Sequence, residues 1–123
     1  MIYLLDVSAL LALLLQNHEH HGRMVAWQAG KELAICPIVE LGFLRISVLV
    51  YKARMDEARK ILALFKERKQ IRFVPDSISA LVGHPSPDAK KSTDWYLANL
   101  AEANGMKWAT LDSRSDHPAA EVI

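Results

Sequence analysis

Cysteine is almost missing from this chain: Cys36 is alone among 123 residues, so no internal disulfide can form. Its place in an apolar run suits a reducing compartment. Long apolar runs are missing too. No stretch reaches the 18 or so uninterrupted apolar residues of a membrane span. The apolar N-terminus has no basic leader, carries Asp6 in mid-run, and shows no small-residue cleavage pattern before Gln16-Asn17, which argues against a signal peptide. Internal repeats, low-complexity segments and linkers are absent, which predicts one domain over 1–123. These absences together predict a cytoplasmic protein with no membrane association.

What is present is the composition of an ordinary soluble domain, 51% hydrophobic and 24% charged. Such a length buries roughly two-thirds of the unfolded chain's surface. The net charge of +1 hides a polarity. Residues 45–72 hold nine Lys and Arg against Asp56, Glu57 and Glu67, a balance of +6, which leaves −5 for the remainder. A basic face for an anionic partner and a solvated helix with intrahelical ion pairs both fit that segment.

Strand and helix signals alternate along the chain. Residues 2–5, 33–36, 71–74 and 107–112 read as short buried strands, and 121–123 as a last one. Helices are expected over 9–15, 18–29 (stopped by Gly30), 38–51 behind Pro37, 55–69, a short one over 75–81, and 92–104 closed by Gly105. Ser92 or Thr93 is expected to cap the last helix. Residues 83–88 are loop chemistry throughout. This alternation predicts an α/β fold, a three-layer α/β/α sandwich around a central, mostly parallel sheet.

Four acids stand at matching points of that plan. Asp6 and Asp112 end strands, whereas Glu40 and Asp94 open helices. In open α/β sheets ligands collect outside the carboxyl ends of the strands, where all four would converge. Clustered carboxylates raise one another's pKa unless a cation neutralises them. Oxygen ligands without thiols select Mg²⁺ or Mn²⁺ over zinc, and such ions assist phosphodiester hydrolysis. The Ser8 hydroxyl is placed to support the site. Taken singly, each acid is better explained as a turn former or a helix-dipole partner, and it is the four together that point to a site. His18, His20 and His21 have no metal-ligand spacing and read as solvated or helix-start residues.

Three stretches carry a resemblance: Asp6-Val7-Ser8 after a buried strand, Pro37-Ile38-Val39-Glu40-Leu41-Gly42-Phe43-Leu44-Arg45, and Thr93-Asp94-Trp95-Tyr96-Leu97 leading to Thr110-Leu111-Asp112. Their order and spacing resemble the PIN domain, and more narrowly the VapC-type ribonuclease toxins of toxin–antitoxin pairs. The resemblance implies a metal-dependent endoribonuclease acting on single-stranded RNA, a homodimer, and a cognate VapB-like antitoxin. It also implies that Asp6, Glu40, Asp94 and Asp112 hold Mg²⁺ or Mn²⁺, with Ser8 supporting and Asp116 a further, weaker candidate ligand. Arg45 and Arg54 are then candidate RNA contacts, with Trp95 and Tyr96 available for stacking or for the core.

Two other readings remain open. A phosphorylation-controlled receiver needs an acidic pair at the end of the first strand, where only Asp6 stands. A non-catalytic interaction module would use the acids to bind a partner's arginines and need take up no metal.

Overall fold

A computed structural model describes residues 1–123. In chain order the elements are β1 (Ile2–Leu5), α1 (Val7–Leu14), α2 (His21–Gln28), β2 (Glu32–Ile35), α3 (Pro37–Leu49), α4 (Met55–Lys66), β3 (Ile71–Phe73), α5 (Ser92–Ala103), β4 (Lys107–Thr110) and β5 (Ala120–Val122). The strands form one sheet in the order β3-β2-β1-β4-β5, and every pairing is parallel. The first strand is therefore the central one.

Burial along the strands explains the layers. Successive side chains of a strand point to opposite faces. Leu4 and Leu5 in β1, Leu33, Ala34 and Ile35 in β2, and Trp108, Ala109 and Thr110 in β4 are all buried. Both faces of the sheet centre are thus covered, as an all-parallel sheet requires. The outer strands β3 and β5 are three residues long and more exposed. No helix is long and apolar enough to cross a membrane.

Helix α1 is apolar on all sides, with Ala9 through Leu13 buried, because it packs against both α2 and α3. Gly42 allows the close approach of α3. A Cβ there would lie 2.6 Å from Val7 Cγ2. A glycine inside a helix costs about 1 kcal/mol against alanine, and here it is what lets α3 seat on α1. Pro37 takes the first helical position of α3, as expected.

Three local expectations are corrected. Residues 75–81 form no helix. The chain leaves β3 through Val74, whose amide still pairs with Ile35, and the Ile78 carbonyl is taken by the Tyr96 hydroxyl at 3.0 Å. Neither Ser92 nor Thr93 caps α5. Lys91 is the cap residue, and the Ser92 hydroxyl instead donates back to Ala89. Helix α2 starts at His21, leaving His18 and His20 in the preceding turn.

Candidate active site

Asp6 follows β1 directly. Its amide donates to Ala109 of β4 at 3.1 Å, and its Oδ1 accepts from the Ala9 amide at 2.6 Å, capping α1. The residue is only 6% exposed. Asp94 lies in the first turn of α5, and Asp112 two residues beyond β4. All three acids, with Ser8, line one open cleft of about 460 Å³. The sheet topology explains the meeting: β1 and β4 are neighbours, and α5 packs on both.

Their electrostatics are graded. Burial pushes the Asp6 carboxyl up to about 6, with Asp94 and Asp112 adding to the rise while the Thr110 hydroxyl and the Ala9 amide oppose it. Asp94 is also raised, first by burial and then by Asp112, with Lys91 pulling the other way. Asp112 is lowered, chiefly by the Arg114 amide that donates to it at 3.0 Å, helped by the Arg114 guanidinium, whose Nε lies 3.3 Å away. The cleft therefore runs from a deep, reluctantly ionised acid to a rim carboxylate that stays charged. Oxygen donors from three acids, with Asp6 lacking a cation partner and no thiol beside them, suit a hard divalent cation, so the residues fit Mg²⁺ or Mn²⁺.

Glu40 does not join them. Its carboxylate meets Lys66 Nζ, at the end of α4, at 2.6 Å, and it lines a separate hollow with Leu44, Arg59 and Leu62. The reason is helical geometry: α3 packs on α4, and Glu40 takes the side of α3 that faces it. Arg45, five residues on and so about 140° around the helix, lines a different groove of about 530 Å³ with Leu41, Thr93 and Tyr96. That groove adjoins the acidic cleft, since Val7 lines both. Arg54 is exposed and occupied with Asp56 at 3.2 Å. Asp116 is exposed and lies outside the cleft lining, because the turn after Asp112 carries it away.

The cleft also holds residues that the sequence reading set aside. His18, Glu19 and His20 line it. The His20 amide donates to His18 Nδ1 at 3.0 Å, and the His18 ring stacks on Tyr51 with centroids 5.9 Å apart. Burial and neighbouring His20 hold His18 below its ordinary range. His21 turns away, its Nδ1 2.8 Å from the Ala12 carbonyl oxygen. Only the break after α1 hinted at this, because a turn rather than a helix face delivers the two rings. Trp95 sits edge-on to His117 at 4.8 Å, a packing role.

Comparison with known proteins bears on the family and the fold. The PIN domain family model matches residues 3–121. Ribonuclease VapC38 of Mycobacterium tuberculosis (strain ATCC 25618 / H37Rv) is 35% identical over 120 residues, covering 89% of this chain and 84% of the relative. Ribonuclease VapC29 of Mycobacterium tuberculosis (strain CDC 1551 / Oshkosh) is 30% identical over 131 residues, covering 99% and 94%. A crystal structure of VapBC2 from Rickettsia felis, bound to a DNA fragment from their promoter, superposes with a TM-score of 0.63 at 15% identity, covering 99% of this chain and 98% of that one. At that identity the likeness is one of fold. With the family model spanning nearly the whole sequence, the chain belongs to the PIN domain family.

Proposed function

We propose that this protein is a divalent-metal-dependent endoribonuclease that cleaves single-stranded RNA, the toxin of a VapBC-type pair. The observation that carries the reading is the convergence of Asp6, Asp94 and Asp112 on one cleft, with Asp6 buried and its charge unpaired by any cation. Names of curated relatives support the substrate class, since both are ribonucleases.

In this reading Asp6, Asp94 and Asp112 hold Mg²⁺ or Mn²⁺. Asp6 is held in place for that role by the Ala9 amide, which donates to its Oδ1 at 2.6 Å, and by the Thr110 hydroxyl. The bound ion supplies Lewis-acid stabilisation of the attacked phosphate and lowers the pKa of water. Ser8, exposed at the start of α1, orients the carboxylates or water beside them. One of the acids takes the proton from the attacking water. Arg114 at the rim, and Arg45 in the adjoining groove, offset the charge of the RNA backbone. His18 and His20 add ring nitrogens to the same cleft.

The partners implied are a VapB-like antitoxin and a second copy of the chain. Leu41, Leu49 and Val50 on and just after α3 are 65%, 65% and 62% exposed, and apolar surface of that kind favours a protein partner. We place the protein in the cytoplasm.

The test is cleavage of a mixed-sequence single-stranded RNA with Mg²⁺ or Mn²⁺. Wild-type protein is expected to cut only with metal, and Asp6→Asn and Asp94→Asn to be inactive. Equal activity in all three would assign the cleavage to a contaminant. A folded protein with neither cleavage nor Mn²⁺ binding would leave the acids to grip a partner's arginines, as Asp112 grips Arg114.

A further inference from the structure

Between α5 and the two loops beside it lies a buried hydrogen-bonded cluster that the chemistry above does not use. Asn99 is 6% exposed and His117 3%. Asn99 Nδ2 donates to the His84 carbonyl at 2.9 Å, and its Oδ1 accepts from the His84 amide at 3.0 Å. That same Oδ1 lies 2.8 Å from His117 Nε2, while His117 Nδ1 accepts from the Ala119 amide at 3.0 Å. Since Oδ1 accepts and a backbone N–H only donates, the ring is the neutral Nε2–H tautomer with both nitrogens engaged. Ligand atoms of His84, Glu102 and His117 also lie within 4.8 Å of one another. His117 is unsuited to hold a metal there. Coordination through Nε2 would require a proton on Nδ1, facing the Ala119 N–H. The cluster is a clamp.

The clamp ties together the pieces that carry the cleft acids. Asn99 is on α5, five residues after Asp94. His117 closes the segment 111–119, which starts beside Asp112 and in which only His117 and Ala119 are buried. His84 belongs to the loop 75–91, whose last residue, Lys91, acts on Asp94 and Asp112. Gly83 completes the fit: a Cβ there would lie 2.5 Å from Asn99 Cγ, so the loop backbone presses directly on the amide.

We propose that Asn99, acting through His117, is a positioning residue for the divalent cation, holding the Asp112-bearing segment at a set distance from Asp94. The proposal rests on reading the cleft as a metal-dependent nuclease centre. Residues hydrogen-bonded to metal ligands typically change affinity by roughly 10- to 100-fold when lost. Asn99 reaches Asp112 only through His117 and the segment between them, so the low end of that range is expected.

The experiment measures Mn²⁺ affinity of the full chain from the electron paramagnetic resonance of free Mn²⁺, with circular dichroism confirming the fold. Asn99→Ala is expected to weaken binding about tenfold. In an Asp112→Asn background, Asn99→Ala is expected to add nothing. If Asn99→Ala does not fold, Gly83→Ala, which crowds Asn99 without removing it, carries the same test. Unchanged affinity in the folded variant, or an equal loss in the Asp112→Asn background, overturns the positioning role and leaves the nuclease reading standing. A wild-type protein that binds no Mn²⁺, or an Asp6→Asn that binds as well, overturns both.

Discussion

Asp6 and Glu40 are both acids at the carboxyl edge of the sheet, Asp6 directly after β1 and Glu40 five residues after β2 in the first turn of α3. Their surroundings differ in burial, in acidic neighbours and in the nearest cation. Asp6 is enclosed with Asp94 and Asp112 nearby and no cation against it, so its carboxyl is pushed up to about 6. Glu40 has Lys66 Nζ at 2.6 Å. One site stores unfavourable charge that a divalent ion would relieve; the other has already satisfied its charge within the protein. Topological position therefore selects candidates, and the compensating neighbour decides which of them is poised to bind.

The largest expected effect is on catalysis. Asp94→Asn removes a carboxylate from the cleft and should reduce RNA cleavage by about 10²- to 10⁴-fold, measured as initial rates at saturating Mn²⁺. A drop below tenfold would place the chemistry elsewhere.

Stability sharpens the contrast in the opposite direction. An acid whose native pKa exceeds its unfolded value binds its proton more tightly when folded. Asp6 therefore costs nothing below about pH 4 and becomes destabilising as pH rises to about 6. The rise from 3.8 to about 6 corresponds to about 3 kcal/mol. Asn is as good an N-cap as Asp, so Asp6→Asn should match wild type near pH 4 and, without metal, exceed its stability by up to about 3 kcal/mol at pH 7.5. Urea unfolding at the two pH values reads this out. Added Mn²⁺ should stabilise the wild type and not the variant.

At Glu40 the expected losses are smaller. Lys66 is 39% exposed, so solvent screens the pair, and Glu40→Gln should cost about 0.5–1 kcal/mol in urea unfolding. Its cleavage rate should stay within about threefold of wild type, because nothing it touches lines the acidic cleft. Ser8→Ala is expected to have the least effect on stability, within about 0.5 kcal/mol, since its side chain is exposed.

Much of the fold was legible because it rests on local signals. Runs such as Leu33-Ala34-Ile35 announce a strand covered on both faces, Pro37 announces a helix start, and the alternation of elements announces a parallel sheet. The illegible parts are tertiary. Ile78 and Leu81 look like a helical stripe, yet Leu81 is 95% exposed and Ile78 is held by Tyr96, 18 residues away. For Glu40, sequence position reveals the helix turn but not that Lys66, at the far end of α4, waits on that side. The histidines at 18 and 20 show no ligand spacing, because the turn after α1, not a helix face, brings them to the acids. Asn99 likewise resembles any helical polar residue until His84 and His117 close around it.

The measurement that bears most directly on the contrast is a Mn²⁺ titration of wild type, Asp6→Asn and Glu40→Gln side by side. The account predicts that wild type and Glu40→Gln bind Mn²⁺ alike and that Asp6→Asn does not bind. A Glu40→Gln protein that loses affinity as completely as Asp6→Asn would contradict it, by showing that Glu40 leaves Lys66 and enters the cleft.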